Sequence, residues 1–208
     1  MEIRFLAIET ANFAETVHFY RRTLEVAVLS EGPGYAVLHL GNSQLLLRQA
    51  LQGQPFYHLA FDIPQNQLSQ AAQWLERRVP LLERHGEREV FFEDWNATSV
   101  YFHDPSDNIV ELIARHNLAN DRAQAFDADS LLSVSEIGWP CQDPARTAQE
   151  MGIEAWRDYG PFKALGSESG LILLVPIGRG WLPTDRPAES HPCEVLVQTS
   201  AGYHRFSV

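Results

Sequence analysis

The side chains able to do chemistry in this chain are imidazoles and carboxylates set within short apolar runs: eight histidines and twenty-seven acids among 208 residues. In an extended run alternate residues share a face. That parity groups Phe5, Ala7 and Glu9, then His58, Ala60 and Asp62, then Ile109, Glu111, Ile113 and Arg115. Imidazole nitrogen with carboxylate oxygen is a donor set for zinc, manganese or ferrous iron. Glu9 and Asp62 lie about 7 Å further along their runs than Phe5 and His58, and read as the start of the turn into each helix. His103, before Asp104-Pro105, reads as a rim residue, and His39, just before Leu40-Gly41, as exposed.

Other chemistries lack their residues. Gly178-Arg179-Gly180 has neither the lysine nor the following helix of a phosphate loop, and no Gly-x-Ser-x-Gly elbow or Cys-x-x-Cys pair occurs. Cys141 and Cys193 are too few for a disulfide framework or a thiolate metal site and read as reduced thiols. The five tryptophans are scattered, and Trp95 can line a cup mouth or cap a core with equal ease. A formal charge of −11 repels polyanions, so nucleic acid and an anionic membrane are not expected partners. No apolar run reaches the length of a membrane span, and the start lacks the order of a secretion signal. A cytoplasmic protein is the expectation.

The elements that must position these groups repeat. Ile3–Glu9 reads as a strand. Asn12 and Glu15 then offer a capping box, with Phe13, Val17, Tyr20 and Leu24 on one helical face. Strands follow at Val26–Ser30, Tyr35–Leu40 and Gln44–Arg48. The order recurs: strand Tyr57–Ile63, helix Gln65–Arg78, and strands Pro80–His85, Thr98–His103 and Asn108–Arg115. Phe5-Leu6-Ala7-Ile8-Glu9 echoes His58-Leu59-Ala60-Phe61-Asp62, which makes the repeat an internal duplication. After a polar linker at 116–129, a third unit runs from strand Leu131–Trp139 through a helix opened by Asp143-Pro144. Its later strands are Ile153–Tyr159, Phe162–Gly166 and Gly170–Val175. Glu194–Gln198 and Tyr203–Val208 begin a partial fourth. The fold class is α+β, built of tandem βαβββ units, with a domain of paired units at 1–115 and a divergent third unit at 130–208.

Two segments carry a family resemblance. Glu15-Thr16-Val17-His18-Phe19-Tyr20-Arg21-Arg22-Thr23-Leu24 resembles the first helix of the vicinal oxygen chelate superfamily of glyoxalases, bleomycin-resistance proteins and ring-cleaving dioxygenases. Tyr101-Phe102-His103-Asp104-Pro105-Ser106-Asp107-Asn108-Ile109-Val110-Glu111-Leu112 resembles its closing strand, turn and strand, with Asp107 where the family has glycine. The resemblance implies half-open barrels whose concave face holds a divalent metal, with ligands on the first and last strand of each unit. Those slots fall on Phe5, Leu46, His58 and Glu111. Only His58 and Glu111 carry donors, so the implied iron, manganese or zinc site is incomplete. Counting back from the helix caps aligns Glu136 with Phe5, a position for a ligand only if another surface closes around it; a half-exposed acid is the better supported reading.

A metal-dependent enzyme of the ring-cleaving dioxygenase type follows as the leading expectation, acting on a small oxygenated substrate. His58 and Glu111 are its ligands, and Phe5, Ala7, Leu46, Tyr101, Ile113 and Arg115 line the site, Arg115 facing a substrate carboxylate. The alternative is a metal-free sequestration protein, favoured by Phe5 in a ligand slot. The unpaired third unit also suggests a homodimer.

Overall fold

The computed structural model describes residues 1–208. Unit one contains β1 (Glu2–Thr10), α1 (Phe13–His18), β2 (Val28–Gly32), β3 (Tyr35–Leu40) and β4 (Ser43–Gln49). Unit two contains β5 (His58–Ile63), α2 (Leu68–Glu76), the short β6 (Leu81–Leu82) and β7 (Val90–Phe92), then β8 (Ala97–His103) and β9 (Ile109–Arg115). Unit three contains β10 (Ser133–Cys141), α3 (Pro144–Met151), β11 (Ala155–Tyr159), β12 (Phe162–Ser167) and β13 (Gly170–Pro176). Two hairpins end the chain, β14 (Gly180–Trp181) with β15 (Arg186–Pro187), and β16 (Cys193–Thr199) with β17 (Gly202–Ser207). No helix is long and apolar enough to cross a membrane.

In every unit the first and last strands pair in parallel, and the helix between them makes the crossover that parallel pairing requires. The units then join through their first strands. β10 runs antiparallel to β5, giving a nine-stranded sheet in which β11-β12-β13-β10-β5-β9-β8-β6 is continuous and β7 pairs with β8. β1 instead pairs with β16 in a second sheet ordered β17-β16-β1-β4-β3-β2. Alternate residues on the two sheets, among them Leu6, Ile8, Leu45 and Leu47 against Leu59, Phe61, Val110 and Ile137, share one cluster of 39 buried residues. The other parity, His58, Ala60 and Asp62, is thereby left facing away from this common core.

This pairing corrects the expected division at 1–115. Units one and two do not close a cup together; units two and three do, while unit one takes the last hairpin. The reason lies in the connections. The 116–129 segment runs along the start of α2, where Asn120 Oδ1 accepts from Gln65 N (2.9 Å), the Gln124 carbonyl from Gln67 Nε2 (2.6 Å), and Phe126 packs on Trp74. It thus returns the chain beside β5, where Leu132 N donates to the Asp62 carbonyl at 2.8 Å. The face of unit three that prompted a dimer is therefore covered within the chain.

Local expectations fared unevenly. Asp143 caps α3, accepting from Ala145 N and Arg146 N at 3.1 and 3.0 Å. Asp107 takes the left-handed turn with φ 59°. The Asn12 capping box does not form, because the Asn12 amide donates to the Pro105 carbonyl (2.7 Å) and so ties unit one to the unit-two turn. Pro80–His85 forms only the two-residue β6, and the unforeseen β7 pairs with β8 alongside it.

Gly41 fixes how unit three enters. Its φ is 53°, and a Cβ there would sit 2.0 Å from the Leu132 carbonyl oxygen, beside the bond Asn42 N gives to that same oxygen. We expect Gly41→Ala to destabilise the protein by about 2–3 kcal/mol in urea unfolding. Gly53→Ala, at φ 73° but in open space, should cost only about 1 kcal/mol; equal costs would mean the Leu132 contact does not matter.

Candidate metal centre

The register of three strands builds the site. Glu111 on β9 and Glu136 on β10 both stand opposite Ala60 of β5, one from each side, and His58 is the next residue of β5 on that face. Alanine between two glutamates leaves space in front of it. His58 Nε2 lies 3.5 Å from Glu111 Oε2 and 4.0 Å from Glu136 Oε2, and the donor atoms of all three lie within 4.8 Å of one another. An ion about 2.1 Å from each donor sets neighbouring donors about 3.0–3.4 Å apart. The His58–Glu111 separation is already near that range, and the longer separations exceed it. A fourth position is defined by the repeat: Leu173 faces Gly138, two residues beyond Glu136, as Glu111 faces Ala60, two beyond His58. Leucine has no donor, so three protein ligands leave coordination positions open.

Each donor is held. Ser99 Oγ donates to Glu111 Oε1 at 2.5 Å. Arg115, fully buried, pairs with Glu136, donates to Ser135 Oγ at 3.2 Å from two nitrogens, and lies 3.5 Å from Asp62. Its guanidinium sits about 6 Å from the rings of Trp95 and Trp156. The His58 ring rests on Trp181 with centroids 4.8 Å apart. Gly138 makes that contact possible, since a Cβ there would come within 2.7 Å of the indole.

The electrostatics fit a cation. Burial pushes His58 down to about 4, with the Arg179 charge adding to the effect, so at neutral pH the ring is a neutral imidazole with one nitrogen free to ligate. Burial, and then the neighbouring Glu136, raises Glu111. Burial raises Glu136 against the pull of Arg115, and raises Asp62 to about 7 against the same guanidinium. Three buried carboxyls thus face one buried guanidinium, and a divalent ion would supply the two missing positive charges. His58 Nδ1 has no hydrogen-bond partner, so no contact fixes its tautomer against this role.

A cavity of about 260 Å³ opens in front of the three donors. Its walls are Phe92, Trp95, Tyr101, Ile113, Tyr159, Phe162, Leu173, Trp181 and Leu182, with Arg179 the one cationic side chain among them. Burial keeps the Tyr101 hydroxyl protonated, well above its ordinary range, with Glu111 beside it adding to the effect.

Of the residues expected from the sequence, His58, Glu111, Tyr101 and Ile113 meet here. Phe5, Ala7 and Leu46 do not. They sit in the other sheet, where Ala7 borders a separate hollow of about 100 Å³ with Glu9, Arg48 and Glu194. Arg115 has the expected parity but is sealed beneath the cavity by Asp62, Glu136 and the two tryptophans, so it holds a protein carboxylate rather than facing the open space. Glu136, read as a half-exposed acid, completes the cluster because β10 lies on β5. Its alignment with the first-strand slot was the available signal. Arg179 had only its place between two glycines and an aromatic to mark it.

No family model and no curated protein matches the chain in sequence. Solved structures do match. A putative dioxygenase from Bacillus subtilis subsp. subtilis str. 168 superposes with TM-score 0.63 at 20% identity, over 86% of this chain and 65% of that one. The present chain therefore spans just under two thirds of its length. A lactoylglutathione lyase from Agrobacterium tumefaciens aligns with TM-score 0.45 and 20% identity over 53% of this chain and 91% of its own. A fosfomycin resistance protein from Listeria monocytogenes aligns with TM-score 0.43 and 14% identity over 55% and 89%. The chain has the vicinal oxygen chelate fold.

The buried carboxyls give the metal-free protein a defined pH response. Asp62 keeps its proton in the folded state up to about 7 while the unfolded chain has already released it, so stability falls as pH rises through that interval, and Glu111 acts in the same sense. His58 acts oppositely, between about 4 and its ordinary 6.5. Above pH 6.5 that compensation ends. Metal-free protein should lose thermal stability from pH 6.5 to 7.5, by about 1 kcal/mol per pH unit, and excess zinc should abolish the decline. A flat profile without metal would contradict the buried-carboxyl balance.

Proposed function

We propose that this protein is a metal-dependent enzyme acting on a small substrate with two neighbouring oxygens, held within an aromatic-walled cavity. The observation carrying the reading is the convergence of His58, Glu111 and Glu136 within 4.8 Å at the floor of that cavity. One histidine and two carboxylates suit ferrous iron, manganese or zinc. A bound ion would supply Lewis acidity at the two oxygens.

The chain's own groups then have definite tasks. Arg115 and Ser135 keep Glu136 aimed at the cluster, and Ser99 does so for Glu111. The aromatic walls exclude water, which strengthens every charge interaction inside. Tyr101, protonated throughout the physiological range, is a hydrogen-bond donor beside Glu111. The depth and aromatic lining suit a planar ring, so ring opening with dioxygen as co-substrate is the reaction proposed first. This choice is of reaction class; the fold alone serves many chemistries. The metal-free alternative drew its support from Phe5 in a ligand slot, and Phe5 does not reach the cavity.

Titration of chelator-treated protein with zinc or manganese, followed by elemental analysis, tests the centre. One ion per chain is expected, with His58→Ala and Glu136→Gln each weakening binding about 10–100-fold or more. Phe5→His should leave metal binding unchanged, since that side chain belongs to the other sheet. Stoichiometric binding that survives both ligand substitutions would overturn the assignment.

A further inference from the structure

Arg179 is the charged group that the metal centre leaves over. It is half-buried on the cavity wall, and no carboxylate of the protein pairs with it; its one hydrogen bond goes to the adjoining Gly180 carbonyl at 3.2 Å. Its guanidinium lies 4.9 Å from the Phe162 ring and 5.8 Å from the Trp181 ring, while His58 rests on Trp181 at 4.8 Å. Trp181 is thus a shared neighbour of Arg179 and of His58. Burial draws the guanidinium below its ordinary range, the mark of a cation without a counter-charge.

The backbone beneath it is locked. Arg179 N donates to the Pro176 carbonyl (3.1 Å), and Ala188 N donates to the Arg179 carbonyl (2.8 Å), so the β14–β15 hairpin presents the side chain from a fixed base. Arg186 anchors the same hairpin to unit two, donating to the Asp107 carbonyl at 3.0 Å and stacking 3.4 Å over Phe56.

The charges decide what Arg179 is for. Glu136 is paired with Arg115, whereas no carboxylate of the protein pairs with Arg179. Arg179 then stands as one uncompensated positive charge in an aromatic-lined space. The volume agrees, since a dry cavity of about 150 Å³ takes a benzene, and 260 Å³ leaves room beyond one ring for a further group.

We propose that Arg179 is a specificity-determining residue that binds a carboxylate, and that the substrate is a single-ring aromatic acid carrying its anionic group on the side that meets Arg179. A planar guanidinium receives a carboxylate through two parallel hydrogen bonds. This rests on the metal-centre reading for the orientation of the ring, and not for the capture of the anion.

The test uses the full chain and tryptophan fluorescence or calorimetry as readout. Zinc-loaded protein, kept anaerobic, is titrated with 3,4-dihydroxybenzoate and with catechol, which lacks the carboxylate. Metal-free protein is titrated with benzoate. Wild type should bind the dihydroxy acid about 10–100-fold more tightly than catechol. Arg179→Gln should erase that preference while leaving catechol affinity and zinc content unchanged, and Arg179→Lys should restore part of it. Benzoate should bind metal-free wild type and not Arg179→Gln. If zinc fails to bind but benzoate still distinguishes the two, the metal-centre reading falls and the anion site stands. If zinc binds at one per chain and the preference is absent, or persists in Arg179→Gln, the anion site is overturned.

Discussion

The antiparallel pairing of β5 with β10 is the contact on which the rest of this molecule depends. It joins two units through their first strands, so each unit's parallel first-and-last pair ends at the centre of one continuous sheet. Two consequences follow from geometry alone. Residues from two separate units come to flank Ala60, and the two outer halves of the sheet curl around the space in front of it. A shift of the pairing by one residue would turn His58 or Glu136 to the opposite face. The hydrophobic alternation of β5, with Leu59, Phe61 and Ile63 committed to the common core, holds the register.

That register imposes an electrostatic problem which the surrounding residues only partly solve. Burying Glu111, Glu136 and Asp62 together is unfavourable unless positive charge accompanies them. Arg115 supplies one such charge and is itself enclosed by Trp95 and Trp156. It acts as a structural counter-ion: it orients Glu136 and leaves the Glu136–Glu111–His58 cluster short of cation. The remaining imbalance is what leaves the cluster able to accommodate a cation. The neutrality of His58, imposed by the same burial, keeps it from acting as the missing charge.

The cavity above is completed by a segment outside the repeated units. The hairpin carrying Arg179, Trp181 and Leu182 follows β13 and covers His58, and Gly138 provides the room for the indole to do so. The repeat supplies a floor of donors, and the hairpin supplies Arg179, Trp181 and Leu182 to the wall above it.

The amino-acid order by itself determined a good deal. Periodicity, the recurring strand–helix–strand–strand–strand order, Asp143-Pro144 as a helix start and the Asp107 turn were all readable, because each depends on neighbours within a few residues. So were Glu111, within a segment that resembles a known superfamily, and His58, at the start of the strand that echoes Phe5–Glu9. What only the tertiary structure decided was which units share a sheet. That choice rests on how the 116–129 segment binds along α2, a set of contacts between residues more than fifty positions apart that no local pattern encodes. It moved Phe5, Ala7 and Leu46 out of the site, brought Glu136 in, and turned Arg115 from an open cavity residue into a sealed counter-ion. Parity along a strand says which side chains share a face. Only strand pairing says what that face meets.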